Sequence, residues 1–224
     1  MQHSLKHPYI SVGPNGSYGG NQTTLSRKGL RQCGCGAVAM ADFLLYVTTH
    51  HGLEPLPEAD HDPILLADYD ALVSRLQLHY LPMIPPFGIT GISMAAGLSL
   101  YSQQHHLSLG ARWGVQKKNF WTLMAQMLDR DLPVIFSIGP NFPFIWQKHK
   151  LNLYRKCGET YVAVSRVSAH FVTATGLDEN WIRISSWGKE YYIHRGEYTQ
   201  YGKAHSISLA HNLLWIPGKE KPHG

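Results

Sequence analysis

The chain has 224 residues, of which 44% are hydrophobic and 16% charged, so it is long enough to bury a core and we expect a single domain over residues 1–224. Lys and Arg outnumber Asp and Glu by five (20 − 15) without a run of like charges, which argues against a nucleic-acid-binding protein. Residues 1–20 lack the apolar core of a signal peptide and no apolar run of about 18 residues occurs, so we expect no membrane span and a cytoplasmic location.

Four helical patterns precede the first predicted strand and make up a helical half of the chain, about residues 30–131. They cover residues 36–50, 62–79, 90–105 and 117–130. The first pattern is apolar on nearly all sides, which is typical of a helix buried through the middle of a domain. Asp62-Pro63 predicts the start of the second helix, because Asp caps a helix and Pro is tolerated in its first turn.

From Leu132 onwards the sequence changes to short segments rich in β-branched and aromatic residues, separated by Gly, Asp and Asn. The segments read LPVIFSIG, YVAVSRV, HFVTATGL, WIRISSW and KEYYIHR. They predict an antiparallel sheet in the second half of the chain, about residues 132–216. Residues 140–156, rich in Pro, aromatic and basic side chains, are predicted as a long loop. Helices followed by antiparallel strands give an α+β fold.

Cys35 stands directly before the first buried helix, where unpaired backbone N–H groups and the helix dipole favour thiolate over thiol. A thiolate is a nucleophile, so Cys35 is a candidate for the reacting group of a thiol hydrolase. Cys33 lies two residues earlier and remains an alternative. Three cysteines, an odd number, argue against a disulfide framework and fit a reducing compartment.

The order of Cys35, His170 and a Ser-Trp-Gly sequence at 186–188 resembles that of the papain-like cysteine peptidases, in which the His follows the Cys by about 130–150 residues. The segments CGAVAMA from Cys35 and HFVTATGLD from His170 are most similar to the bacterial branch that includes bacteriocin-leader-processing peptidases. The segment YGGNQ at 18–22 resembles the same bacterial proteins. The resemblance implies a papain-like fold, with the nucleophile on a buried central helix packed against a C-terminal antiparallel sheet.

The resemblance also implies a role for each matching residue. Cys35 would be the nucleophile, favoured over Cys33 by the alanines that follow it, and His170 would be the general base and then the general acid. In papain-like enzymes an Asn orients the imidazole, and Ser185 occupies that position here. A hydroxyl is a shorter and less directional partner than an amide. Asp178 is another acceptor nearby, although Leu-Asp-Glu-Asn before a strand is typical of a turn.

An oxyanion hole in this family combines a Gln side chain with the backbone N–H of the nucleophile. Gln22 is the preferred candidate, although it lies 13 residues (35 − 22) before Cys35 and requires an inserted loop at 23–30. Gln32 is the alternative. Trp187 and Gly34 are expected to contact the substrate.

These expectations together predict a cysteine peptidase or amide hydrolase that acts on a peptide or protein substrate through an acyl-enzyme and needs no cofactor. The alternative is a catalytically weakened papain-like protein that binds a peptide or another ligand, because Ser185 replaces the Asn. Metal binding is not expected, because no Cys or His pair has the spacing of a structural zinc site.

Overall fold

The structure, a computed structural model, describes residues 1–84, 88–144 and 146–218. Six α-helices occur in these residues. They are α1 (Lys28–Cys33), α2 (Cys35–His50), α3 (Leu66–His79), α4 (Gly91–Gln104), α5 (Phe120–Asp129) and α6 (Arg195–His205). Ile145 of the predicted loop and residues 219–224 of the predicted domain lie outside the described residues. Within those ranges, no helix has the length and apolarity needed to cross a membrane.

Nine strands are present in the same residues. They are β1 (His3–Ser4), β2 (Arg112–Trp113), β3 (Val134–Ile138), β4 (Leu151–Cys157), β5 (Thr160–Val167), β6 (His170–Leu177), β7 (Trp181–Ser186), β8 (Lys189–His194) and β9 (Leu214–Trp215). Seven of them form one antiparallel sheet in the order β1-β6-β7-β8-β4-β5, with β3 also paired to β6. β2 and β9 form a separate pair. The expected α+β fold with a mostly antiparallel sheet is confirmed.

Helix α2 runs through the core, and its residues from 36 to 48 are all buried. It packs against β6 on one side and α3 on another. Only Gly34 separates α1 from α2, and a Cβ atom there would overlap the carbonyl oxygen of Leu30. A glycine at this junction therefore lets α2 begin at Cys35 immediately after α1 ends. The buried side chains of the helices and the sheet form one continuous core.

The helices predicted at 36–50 and 90–105 agree with α2 and α4 within one residue at each end. The second predicted helix begins later than expected, at Leu66 instead of Asp62. The reason is that the preceding residues pair with the N-terminal segment, where Ile64 donates its N–H to the carbonyl of Ser11 at 2.9 Å. The pattern at 117–130 divides into a 3₁₀ turn and α5.

The prediction of a loop over residues 140–156 is wrong in its last third. Residues 151–157 form β4, which pairs with β5 and β8 and buries Leu151 and Leu153. Basic residues at 155 and 156 lie at the exposed end of this strand and obscured its apolar alternation. Helices α1 and α6 were not predicted.

Candidate active site

Cys35 and His170 come from opposite halves of the chain and line the same cleft, which has a volume of about 450 Å³. Cys35 is the first residue of α2, and His170 is the first residue of β6. Phe171, the residue after His170, lines the same cleft as Cys35, and α2 packs against β6. The start of the central helix and the start of a central strand are therefore in contact at the cleft.

The reactivity of the Cys35 thiol is set by two opposing effects. Burial raises its pKa, whereas hydrogen bonds from the backbone at Phe171 and Gly36 lower it, and burial is the larger effect. The sequence predicted that the helix start would favour the thiolate. The backbone groups do act in that direction, but burial outweighs them and leaves the pKa of Cys35 above its usual value.

His170 is 8% exposed and held on two sides. Its Nε2 atom lies 2.9 Å from the Oγ atom of Ser186. The indole of Trp187 stacks on the imidazole, with ring centroids 4.6 Å apart and ring planes 22° apart. Burial lowers the pKa of His170 to about 4, because a charged imidazolium would lack solvation there. The imidazole is therefore neutral near pH 7.

Ser185 does not contact His170 in the way the sequence predicted. Its hydroxyl donates to the carbonyl oxygen of Tyr18 at 2.7 Å, and the hydrogen bond with the imidazole is made by Ser186. The prediction assumed that strand alternation continues through Trp187. The backbone at Trp187 is left-handed (φ 49°), so the alternation ends at Ser186, and the Ser186 hydroxyl and the Trp187 indole both contact the imidazole.

Asp178, the other acceptor considered, belongs to a turn. Its Oδ1 atom accepts the backbone N–H groups of Asn180 at 2.8 Å and Trp181 at 2.7 Å. This arrangement is an Asx turn between β6 and β7, as the sequence Leu-Asp-Glu-Asn predicted.

Gln22 lies in a 3₁₀ turn and lines the cleft together with Cys35 and His170. Its Nε2 atom donates to the carbonyl oxygen of Arg31 at 3.0 Å, which fixes the side chain against α1. The segment 23–30, which the resemblance required as an insertion, forms the rest of this turn and the start of α1. Gln32 also lines the cleft, so both candidate glutamines are near Cys35.

The two remaining predicted residues differ in their placement. Trp187 covers His170 and lines a small cavity of about 10 Å³ behind the thiol and imidazole. Gly34 forms the junction between α1 and α2 and is not among the described residues that line the cleft. Cys33, the alternative nucleophile, is the last residue of α1 and does line it.

The walls of the cleft are mostly apolar. They are formed by residues Gly88–Ile92, Trp113, Ser137, Ile138, Pro140, Ala169, Phe171, Leu209 and Ala210. Among the described residues, no Asp, Glu, Lys or Arg lines it. The Trp113 indole donates to the carbonyl oxygen of Leu209 at 2.7 Å and packs edge-on against Phe171, with centroids 5.7 Å apart. A Cβ atom at Gly91 would overlap this indole, so the wall is tightly fitted.

Asp42 is a site residue that the sequence reasoning missed. It is the only acidic residue in α2 and lies seven positions (42 − 35) after Cys35, about two turns along the same helix face. Its carboxylate accepts hydrogen bonds from the Tyr69 hydroxyl and the Gly20 N–H. It lines the small cavity with Cys35 and His170. An acidic residue in an otherwise apolar helix was the available signal.

No cluster of three or more His, Cys, Asp or Glu side chains able to ligate a metal ion occurs within the part of the chain that the structure describes. Of the cysteines considered as ligands, Cys157 is exposed at the end of β4, whereas Cys33 and Cys35 lie at the cleft.

Comparison with known proteins supplies one informative similarity. No protein-family model matches the chain, and no curated protein sequence does. A solved structure described as a C39-like peptidase from Bacillus anthracis matches 99% of this chain and 100% of its own, with a TM-score of 0.51 and 11% sequence identity. At this identity the similarity concerns the fold alone, and the fold agrees with the papain-like arrangement that the resemblance implied.

Proposed function

We propose that the protein is a cysteine hydrolase that cleaves peptide or amide bonds through an acyl-enzyme on Cys35. The observation that carries this proposal is the meeting of Cys35 and His170 at one cleft, each at the start of its own element. Gln22 lines the same cleft and supplies an amide donor. The similarity in fold to a protein described as a C39-like peptidase supports the same reaction class.

The first half of the reaction forms the acyl-enzyme. The hydrogen bond between His170 Nε2 and Ser186 leaves Nδ1 as the nitrogen that accepts the thiol proton. As the proton moves, Sγ of Cys35 bonds to the substrate carbonyl carbon and the carbonyl electrons move onto oxygen. The Cys35 N–H and the Gln22 amide stabilise this oxyanion. When the intermediate collapses, the C=O bond re-forms and the C–N bond breaks, the leaving amine takes the proton from Nδ1, and a thioester remains on Cys35.

The second half of the reaction releases the acyl group. Water attacks the thioester carbonyl and gives a proton to His170, and the same donors stabilise the new oxyanion. The C–S bond then breaks, the proton returns from His170 to Sγ, and a carboxylic acid leaves. Because burial raises the pKa of the Cys35 thiol and lowers that of the His170 imidazole, the resting pair is uncharged, and His170 acts as a general base during attack.

The cleft favours apolar side chains next to the cleaved bond. Its described lining has no Asp, Glu, Lys or Arg, so a charged side chain would lose solvation there without gaining a partner. The resemblance to bacterial leader-processing peptidases makes a peptide leader the first substrate to test.

A cytoplasmic location and the absence of nucleic-acid binding stay predictions.

A second candidate function is binding of a peptide without cleavage. It is favoured by the burial that raises the pKa of the Cys35 thiol and by a hydroxyl, instead of an amide, at the imidazole. The two functions differ in what happens to the peptide: a hydrolase releases two fragments, whereas a binding protein releases the peptide intact.

The proposal is tested by incubating the protein with a peptide library and identifying new termini by mass spectrometry. We expect cleavage beside apolar residues that is abolished by Cys35→Ser and by His170→Ala. Cys157→Ser, which alters the exposed thiol, is the matched control and keeps wild-type activity. Cleavage that persists in Cys35→Ser, or peptides that are retained but never cut, would overturn the hydrolase proposal.

A further inference from the structure

Asp42 is a carboxylate surrounded by protein, with 2% of its surface exposed. Burying such a group is unfavourable unless hydrogen bonds replace the lost water. The Tyr69 hydroxyl donates to its Oδ1 atom at 2.6 Å, and the Tyr9 hydroxyl donates to its Oδ2 atom at 3.3 Å. The backbone N–H of Gly20 lies 3.1 Å from both carboxylate oxygens. Burial nevertheless raises the pKa of Asp42 to about 7.

The Gly20 contact joins α2 to the loop of residues 18–22, which ends at Gln22. On its other side this loop is bound to the turn that follows β7. Gly188 donates its N–H to Gly20 at 2.9 Å, and Tyr18 donates its N–H to Gly188 at 3.0 Å. The loop is therefore held between the helix that carries Cys35 and the turn that carries Trp187.

The two glycines of the loop are required by this close approach. A Cβ atom at Gly20 would overlap the hydroxyl of Tyr69. A Cβ atom at Gly19 would lie 2.6 Å from Oδ2 of Asp42. The backbone at Gly19 also has a φ of 78°, which disfavours residues other than glycine. The Tyr-Gly-Gly-Asn-Gln sequence thus fits the carboxylate closely.

We propose that Asp42 is a positioning residue, which anchors the 18–22 loop to α2 and so fixes the Gln22 amide relative to the Cys35 N–H. This inference rests on the proposed function, in which those two groups stabilise the oxyanion. Asp42 touches no reacting atom in this account. Asp42 acts through Gly20, which lies two residues before Gln22. Asp42 itself is on α2, the helix whose Cys35 N–H is the second oxyanion donor.

The anchoring explains why a carboxylate is present in an apolar helix. A hydrophobic side chain at position 42 would pack in the core but would leave the Gly20 N–H and two tyrosine hydroxyls without this acceptor. The titratable groups that donate hydrogen bonds to Asp42 are Tyr9 and Tyr69, from the N-terminal segment and α3, and Cys35 and His170 line the same small cavity. Burial raises the pKa of Tyr9 and of Tyr69 well above the usual value for tyrosine, so both hydroxyls remain donors at neutral pH.

The test compares Asp42→Ala with Asp42→Asn, which keeps one carbonyl oxygen able to accept the Gly20 N–H. For Asp42→Ala we expect kcat to fall about 10²-fold, the low end of the loss on removing one oxyanion donor, with KM changed less than about threefold. Asp42→Asn recovers part of the loss. Because Asp42 acts through Gln22, the double variant Asp42→Ala/Gln22→Ala is no slower than Gln22→Ala alone.

Thr48→Val is the matched control, because Thr48 is another buried polar residue of α2 whose hydroxyl bonds only the helix carbonyls of Leu44 and Leu45. It leaves kcat unchanged. If Asp42→Ala does not fold, Tyr69→Phe removes one hydroxyl donor to the carboxylate and is expected to lower kcat less, again without effect when Gln22 is already replaced.

Amide hydrogen exchange at Gly20 separates this inference from the proposed function. We expect Gly20 to be protected in the wild type and to exchange at least about tenfold faster in Asp42→Ala. Unchanged exchange, or losses in kcat that multiply with those of Gln22→Ala, would overturn the positioning role. A wild-type protein that cleaves no peptide while its Gly20 protection depends on Asp42 would contradict the hydrolase proposal and keep the loop anchor.

Discussion

The imidazole of His170 is hydrogen-bonded to the hydroxyl of Ser186, with 2.9 Å between Nε2 and Oγ. This is a contact between two neutral groups, since burial lowers the pKa of His170 to about 4. A carboxylate in place of Ser186 would stabilise the imidazolium, whereas a hydroxyl mainly fixes the ring and its tautomer. The pair therefore favours a histidine that takes a proton only during attack on the substrate.

We expect Ser186→Ala to slow alkylation of Cys35 by iodoacetamide about tenfold, within the contribution that positioned general bases make. The reason is that the imidazole loses the hydrogen bond at Nε2 that fixes the tautomer in which Nδ1 can accept the thiol proton. Ser185→Ala, whose hydroxyl bonds Tyr18 instead, changes this rate less than twofold, because alkylation uses no oxyanion hole. A larger loss in Ser185→Ala than in Ser186→Ala would assign the orienting role to Ser185.

The pH dependence of the same alkylation follows from the two pKa shifts. Burial raises the pKa of Cys35, and the low pKa of His170 leaves the ring uncharged above about pH 4. The rate constant is expected to rise in the alkaline range, above the usual thiol pKa of about 8.5. Between about pH 5 and pH 8 the rate constant is expected to be level, because neutral His170 accepts the thiol proton throughout this range, and a rise of about tenfold per pH unit there would contradict this account.

The fit of Trp113 against Gly91 predicts an effect on substrate selection. Gly91→Ala pushes the indole towards the cleft, because the new methyl group would overlap it. We expect KM for peptides with large apolar side chains to rise about tenfold, while kcat for peptides with small ones is kept. Gly110→Ala is the control, because its Cβ atom would meet no atom within 4 Å. Equal behaviour of the two variants would remove Trp113 from the specificity wall.

Asp42 predicts a dependence of stability on pH. Its native pKa is raised from 3.8 to about 7, so the native state holds the proton more tightly than the unfolded state. The stability that the protonated carboxyl provides is present below pH 3.8 and is lost as the pH rises through about 7. Relative to Asp42→Asn, the wild type should lose up to about 4 kcal/mol of unfolding free energy across this range, at about 1.36 kcal/mol per pKa unit.

Urea unfolding of both proteins from pH 4 to pH 8 measures this difference. The buried His170 and His211, whose pKa values are lowered to about 4, act with the opposite sign, because stability rises as the pH increases above that value. They occur in both proteins and largely cancel from the comparison. A difference that stays constant with pH would show that Asp42 does not retain its proton in the native state.

The sequence was sufficient for α2 because that segment is apolar on nearly every side, and for the strand at His170 because that segment is rich in β-branched and aromatic residues. Those two elements carry the proposed nucleophile and base. The sequence did not predict which serine meets the imidazole, because the answer depends on how the end of β7 packs against the start of β6. A contact of this kind between two strands leaves no signal in the residue types at either end.

The contact of Asp42 with the loop of Gly20 also lay beyond sequence reasoning, since the residues are 22 positions apart (42 − 20) and meet only when α2 and the loop are packed. Strand β4 was missed for a different reason. Its exposed end carries Arg155 and Lys156, which resemble loop residues when burial is unknown.

The central claim is that Cys35 is the nucleophile and His170 its base. The most direct test is intact-mass and peptide-mapping analysis after reaction with a peptidyl epoxide that has an apolar side chain. We predict one equivalent of label, on Cys35 alone, with no label on Cys33 or Cys157 and at least about a tenfold loss of labelling rate in His170→Ala. Label on Cys33, or equal slow label on all three cysteines whether or not His170 is present, would contradict the account.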